Sequence, residues 1–428
     1  MTKIRSVLSY VFEKIAPFTH FIPTKFRRNA VAFIFKVLSF LSLSHKRIKE
    51  IPAKPAKPYI ARKYPYGINL FGYFKTETGI SQGTKLYAEA IETGKIPHTF
   101  ISVDFVINFS QDDTSYNNKL SEKPEYAVNL FHLNPPEWKA AWINFPEECF
   151  DYRYNIGAWA WELETLPKSW LPIIDFVDEL WVFSEFIANA VRKETDKPVT
   201  VIPYGISVPT DKTLSRKDFK LPDDKFLILA MFDSCSTISR KNPAGAIRAF
   251  GKAFDIHDKN VHLVIKINHP SEEDIKFINN TLGDDSRYTL ISDRMEKTRL
   301  NSMISLCDVF ISLHRSEGFG LVMAESMALG KPVVATNWSA NTDFMNSEVA
   351  CMVDYKLISE NGEYLFYENQ PRRWADPDID QAADYLKKLY HDKAYYKKIA
   401  ESGKKHIETY FSPEASAEKM KERLAQIL

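Results

Sequence analysis

The sequence predicts an α/β protein in which two parallel sheets, each flanked by helices, occupy consecutive parts of the chain. Three observations carry this expectation. Apolar runs of roughly four to eight residues alternate with stretches of helical period, the pattern of repeated β–α units. The runs are near-continuous rather than alternating, as in GINLFGYF, ELWVFS, FLILAMFD and VHLVIKI, which suits strands buried on both faces. A polar, turn-rich stretch, SVPTDKTLSRKDFKLPDDK at residues 207–225, then interrupts the alternation once near the middle.

Composition sets the bounds. With 428 residues, 45% hydrophobic and 26% charged, the chain has material for two sizeable cores. The net charge of +1 gives no global reason to expect nucleic acid as a partner. The charge is uneven, however: residues 1–50 hold ten Lys or Arg and two Glu, a local +8 that leaves −7 on the rest. This segment reads as a basic amphipathic helical extension. Its apolar run from Ala30 to Leu43 contains Lys36 and is too short to span a bilayer. Aromatic and aliphatic residues among clustered cations suit an anionic membrane surface, and a contact with protein is the alternative. The four cysteines, Cys149, Cys235, Cys307 and Cys351, show no metal-ligand spacing and read as free thiols in a reducing cytoplasm.

The elements follow in order. Residues 51–65, with four prolines, read as a semi-rigid linker to a first α/β unit at 66–206. GINLFGYF is its first strand. TETGISQGT then opens a helix, and Gly79 lies where a strand, a glycine turn and a helix N-terminus could cradle a diphosphate. HTFISVDF is the second strand. YAVNLFHLNPP is the third, stopping at Pro135 with His132 and Asn134 at its exit, where open α/β sheets bind ligands. RYNIGAWAWELE reads as a strand with Trp159 and Trp161 on one face and Glu162 beyond, either sugar-binding chemistry or ordinary core. A helix is expected through SWLPIIDFVD, then strand ELWVFS, a helix from Ser184 and strand VTVIPYGI.

The second unit, 207–428, starts from FLILAMFD. Arg240 and Lys241 stand between that strand and a helix beginning at Pro243, a placement suited to phosphate oxygens. VHLVIKI places Lys266 near a strand end. YTLIS and VFISL continue the alternation to the most informative stretch, SLHRSEGFGLVMAESMALG at 312–330. Here Glu317 sits at the mouth of a helix and Glu325 inside it. Gly318 and Gly320 bracket Phe319, allowing close approach to the helix N-terminus, whose N–H groups favour an anion. Asp376, Asp378 and Asp380 form a D-x-D-x-D run, but they directly precede an amphipathic helix and read as a cap rather than a metal site.

Glu317-Gly-Phe-Gly-Leu-Val-Met-Ala-Glu325, followed by GKPVVATNWSANTDFM, resembles the two-glutamate motif of the retaining nucleotide-sugar glycosyltransferases of family 4. The resemblance implies the GT-B fold: two Rossmann-like domains facing a cleft, here with an N-terminal helical extension, and a last helix that often crosses back to the first domain. It implies catalytic roles for His132 and Glu317. Donor contacts would come from Gly79, Arg240, Lys241, Lys266, Gly318, Phe319, Gly320 and Glu325, with Glu325 on the ribose and residues 291–293 near the base. Trp161 and Glu162 become acceptor-side candidates. No metal or other cofactor is expected. The SRKNP and SLHRSEGFG runs resemble bacterial O-antigen and capsule mannosyltransferases, which puts GDP-mannose ahead of UDP-sugars as donor. A lipid-linked glycan or surface polysaccharide is the expected acceptor, and the inner face of the cytoplasmic membrane the expected location. A nucleotide-sugar epimerase or phosphorylase of the same fold, or a non-catalytic glycan-binding scaffold, is the alternative.

Overall fold

The structure is a computed structural model that describes residues 57–104, 111–234, 236–360 and 372–428. The basic extension at 1–50 lies outside the described residues. Residues 57–65, the described part of the expected linker, lie along the first sheet unit. Lys57 pairs with Asp151 at 2.7 Å, and the Ile60 amide donates to the Tyr152 carbonyl.

The first six-stranded sheet contains β1 (Ile68–Gly72), β2 (His98–Ser102), β3 (Val128–Phe131), β4 (Tyr154–Trp159), β5 (Glu179–Val182) and β6 (Val199–Val201), in the order β2-β1-β3-β4-β5-β6 and wholly parallel. Its helices are α1 (Gly79–Thr93), α2 (Pro135–Asn144), the single turn α3 (Leu171–Ile174) and α4 (Glu185–Arg192). The expected helix through SWLPIIDFVD is thus two single turns, the first a 3-10 turn at Lys168–Trp170. Pro172 removes a backbone donor there, and the chain must reach β5 within a few residues.

A buried polar ladder fixes the register of this sheet. Thr99 Oγ1 donates to Asn69 Oδ1 at 2.8 Å, Asn69 to Asn129 at 2.9 Å, and Asn129 to Asn155 at 2.8 Å. These four residues face one another across β2, β1, β3 and β4. Slipping any strand by one residue would turn its member to the opposite face and break its bonds in the ladder.

The second sheet contains β7 (Phe226–Asp233), β8 (Val261–Asn268), β9 (Tyr288–Ile291), β10 (Val309–Ser312), β11 (Val333–Thr336) and β12 (Cys351–Val353), in the order β12-β11-β10-β7-β8-β9 and again parallel. Its helices are the single turn α5 (Ile238–Lys241), α6 (Pro243–Ala253), α7 (Glu272–Leu282), α8 (Lys297–Leu306) and α9 (Leu321–Ala328). A short antiparallel pair, β13 (Tyr355–Ser359) with β14 (Arg373–Pro377), precedes α10 (Ile379–His391), α11 (Lys393–Tyr410) and α12 (Pro413–Ile427). Ile228, Ile265 and Ile311 from the strands pack with Ala249 and Phe250 of α6 and Leu386 of α10 in one core.

The chain passes between the two sheet units twice, near residues 206 and 411, where the Ile206 amide donates to the Phe411 carbonyl at 2.6 Å. Beyond that point α12 returns to the first unit. Ser416 Oγ donates to the Pro203 carbonyl at 2.8 Å, and Arg423 holds the buried Glu179 carboxylate through two nitrogens. A Cβ on Gly94 would lie 2.7 Å from that of Ala417, so the absent side chain lets α12 sit close. Among the described residues no helix is long and apolar enough to cross a membrane, and Cys149, Cys307 and Cys351 are free and buried.

Candidate functional site

Strand order locates the site. In the first sheet the order reverses between β1 and β3, and in the second between β7 and β10. Open α/β sheets bind ligands beyond the carboxyl ends of strands at such reversals. The loops leaving all four strands line a single cavity of about 1150 Å³ between the two sheets. Gly79, Asn134, Trp161, Glu162, Arg240, Lys241, Gly318, Phe319, Gly320, Glu317 and Glu325 all contribute to its wall.

The centre of the cavity is a charge cluster. The loop after β7 makes one helical turn, and Asn242 ends it with φ 49°. That turn aims Arg240 and Lys241 at the loop after β10. Lys241 Nζ lies 2.5 Å from Glu317 Oε1, and Arg240 Nη1 lies 3.4 Å from Glu317 Oε2. Arg240 also donates to the Ser316 carbonyl at 2.7 Å and stands 3.7 Å from the Glu162 carboxylate across the cavity. Burial pushes the Glu317 carboxyl up, but Lys241 and Arg240 outweigh it and hold it down at about 2. Burial pulls the Lys241 ammonium down, with Glu317 opposing. The same cations that suit phosphate also hold this carboxylate.

Glu325 is 1% exposed. Its Oε1 accepts from Lys297 at 2.6 Å, while Oε2 is buried with no hydrogen-bond partner. Lys297, at the start of α8, went unnoticed in the sequence because nothing in the EKTRL run marks it. The two glycines of the motif do different work. Gly320 caps α9 with φ 99°, a left-handed conformation, and a Cβ there would lie 2.4 Å from Met323. A Cβ at Gly318 would lie 2.8 Å from the Trp161 carbonyl oxygen of the first unit. The approach that Gly318 permits is thus to protein backbone, and it closes one side of the cavity. Ser316 Oγ bonds the Glu162 carbonyl, and Ser184 Oγ donates to the Gly318 carbonyl, along the same seam. At Gly79, by contrast, a Cβ would meet nothing within 4 Å.

Two expected positions, His132 and Lys266, lie off the cavity wall, and a third, Trp161, lines it without an open ring face. His132 is 1% exposed and does not line the cavity. Its Nδ1 is 3.0 Å from Thr84 Oγ1 and its Nε2 2.8 Å from Tyr204 OH, and burial pulls the imidazole down to about 3. It is a neutral group behind the wall, and Tyr204 is what reaches the cavity. Lys266 is fully buried against Asn268 Oδ1 and the Ile267 carbonyl, with burial pulling its ammonium down to about 8. Neighbouring Asn268 and His269 line the cavity instead. Trp161 lies past the end of β4. Its indole N–H donates to the Thr165 carbonyl and its ring packs 4.7 Å from Trp170, so it offers no open aromatic platform. Of residues 291–293, Ser292 lines the cavity.

The D-x-D-x-D run separates into three roles. Asp378 caps α10 by accepting from the Asp380 and Gln381 amides, Asp376 pairs with Arg315, and Asp380 pairs with Lys252. Among the described residues no group of three or more His, Cys, Asp or Glu side chains is arranged to hold a metal ion.

Two six-stranded parallel sheets facing a shared cleft define the GT-B architecture. Solved structures of that fold superpose on most of the chain. The Rickettsia africae glycosyltransferase matches with a TM-score of 0.62 at 15% identity, over 85% of this chain and 98% of the other. Anabaena Alr3699/HepE, solved in complex with UDP and glucose, matches with a TM-score of 0.58 at 13% identity, over 84% of this chain and 100% of the other. At the level of sequence, residues 211–406 match the family described as glycosyl transferases group 1. The O-antigen biosynthesis glycosyltransferase WclY of Escherichia coli is 27% identical over 183 residues, 39% of this chain. Trehalose synthase of Rubrobacter xylanophilus is 22% identical over 301 residues, 64% of this chain. The alignments span 46% and 66% of those two relatives, less than two thirds of either.

Proposed function

We propose that the protein is a retaining glycosyltransferase that moves a hexosyl group from a nucleoside-diphosphate sugar to a glycan hydroxyl. The observation that carries the reading is the convergence of Glu317, Glu325, Arg240 and Lys241 on one cavity at the sheet reversals. As the glycosidic bond breaks, negative charge grows on the departing diphosphate. Arg240, Lys241 and the N–H groups at the start of α9 are preorganised to stabilise it. When phosphate engages the two cations, Glu317 is freed to accept from hydroxyls of the transferred sugar, whose anomeric carbon becomes oxocarbenium-like. The unpartnered Oε2 of Glu325 suits a ribose hydroxyl. His132 holds Tyr204 at the cavity wall. In this reading the cationic side chains supply the charge that a metal supplies elsewhere.

Among donors the reading favours a hexose, with GDP-mannose and UDP-hexoses as the two candidates. A solved structural neighbour holds UDP and glucose. The O-antigen role printed for one relative supports polysaccharide biosynthesis. A lipid-linked acceptor at the inner face of the cytoplasmic membrane would match the +8 charge of residues 1–50. The test is turnover of a nucleotide-sugar panel by purified protein, with and without EDTA, and proton NMR of the product's anomeric centre. Transfer with retention, undiminished by EDTA, is expected. Inversion, or activity lost in EDTA and restored by manganese, would overturn the mechanism. Interconversion of donor alone would favour an epimerase.

A further inference from the structure

The two walls of the cavity differ in charge. Among the described residues, the first unit lines it with six carboxylates, Glu77, Glu89, Asp112, Asp113, Glu137 and Glu162, against one lysine, Lys85. Lys85 is itself bonded to Asp113, and Glu77 and Glu162 pair with Arg294 and Arg240 of the opposite wall. Glu137 differs from these. It stands in the first turn of α2, directly beyond the β3 reversal point, and its Oε2 is buried without a hydrogen-bond partner. Tyr73, 6% exposed, and Thr76, 3% exposed, line the same wall from the β1 loop. The Tyr73 hydroxyl and Thr76 Oγ1 are likewise buried without a partner. Unsatisfied buried polar atoms are costly, so three on one cavity wall mark a surface built for a hydrogen-bonding ligand. All three lie on the first unit, opposite Lys241 and Glu317.

Resting on the glycosyltransferase reading, we propose that Glu137, with Tyr73 and Thr76, binds the acceptor sugar and restricts it to sugars without negative charge. A carboxylate in a desolvated wall accepts strongly from hydroxyl or ammonium groups and repels a carboxylate or phosphate. Burial raises the Glu137 carboxyl above its ordinary range, as expected where little water is left to screen a second negative charge. A uronic acid or phosphosugar would add a second. An acceptor that carries phosphate, such as a lipid diphosphate, must therefore keep it outside the Glu137 wall.

The test uses the full chain with UDP or GDP present, and methyl hexopyranosides, the corresponding methyl hexuronides and 2-amino-2-deoxyhexosides as probes. Binding is read first by saturation-transfer NMR, so the site is judged even if no donor turns over. The neutral and amino sugars should bind at least about tenfold more tightly than the uronides, the scale on which like-charge contacts discriminate. Glu137→Gln should narrow that gap to within roughly threefold, because the amide no longer repels a carboxylate. In turnover it should raise KM for acceptor without changing KM for donor, a split that a purely structural role would not produce. Uronides binding as well as neutral sugars, or an unchanged ratio in Glu137→Gln, would overturn the proposal. Release of no nucleotide from any donor, with the binding preference intact, would instead count against the transferase reading.

Discussion

Replacing Glu317 by Gln removes one charge from the cluster of Glu317, Lys241, Arg240 and Glu162 and keeps its shape. In the wild type, Lys241 and Arg240 are buried against this carboxylate at 2.5 and 3.4 Å, with side-chain exposures of 21% and 7%. Breaking a buried ion pair by removing one partner costs about 3–5 kcal/mol, because the remaining charge is left uncompensated. The partial exposure of Lys241 and the acceptor oxygen that Gln retains reduce this to about 2–4 kcal/mol. In a domain of this size that is a fall of roughly 5–12 °C in Tm. The pH dependence has a fixed sign. The Glu317 carboxyl titrates lower in the folded protein, about 2 against 4.5, so its contribution is present above pH 4.5 and is lost as pH falls through about 2. The wild type and the variant should therefore converge in acid. A nucleoside diphosphate supplies the missing negative charge without displacing a carboxylate, so it should stabilise Glu317→Gln more than the wild type, while turnover falls. The assay is thermal unfolding at several pH values with and without UDP and GDP. Equal Tm values without ligand, or a smaller ligand-induced shift in the variant, would refute the charge argument.

Glu325→Ala removes the buried Oε2 proposed to meet the ribose and breaks the ion pair with Lys297. Donor affinity should fall by roughly tenfold, the effect of losing a hydrogen bond whose partner stays buried, and calorimetry with a nucleoside diphosphate reads it directly. Asn129→Ala interrupts the polar ladder of the first sheet and removes the Asn129 donor from the buried Asn155 Oδ1 and the Cys149 carbonyl. Stability should fall by about 2–4 kcal/mol, with the cavity itself unchanged; a denaturant midpoint equal to that of the wild type would contradict the role given to the ladder. The full chain should pellet with anionic vesicles and be released in part by high salt, each Lys or Arg near the surface contributing about 1 kcal/mol. A chain starting near residue 60 that pellets equally well would remove residues 1–50 from that role.

Much of the fold was legible because its strands are buried on both faces and appear as unbroken apolar runs. All of β1, β3 and β5 are buried. Polar residues inside those runs, Asn69, Asn129 and Asn155, carried no signal, since the partner each needs sits on a different strand. The two-glutamate helix and the Arg240–Lys241 turn were legible because their chemistry is local in sequence. His132 was misplaced for the converse reason. The strand exit fixes where its backbone goes, but Thr84 and Tyr204, distant in sequence, decide where the ring points. Glu137 was missed although its signal was present: two prolines opening a helix directly after a strand put the next acidic residue in the first turn, beside the sheet reversal. Trp161 shows the limit of period-two reasoning, because β4 ends at Trp159 and the alternation does not extend beyond it.

In the proposed function, Arg240, Lys241 and Glu317 form the diphosphate end of a nucleotide-sugar site. Calorimetric titration of UDP and GDP into the wild type and into Lys241→Ala tests it most directly. One of the two nucleotides should bind the wild type saturably, one per chain, without added metal. Lys241→Ala should bind it at least about tenfold more weakly, the loss of one charge-assisted contact of about 1.5–3 kcal/mol. Absence of binding by either nucleotide, or equal affinity in Lys241→Ala, would contradict the account.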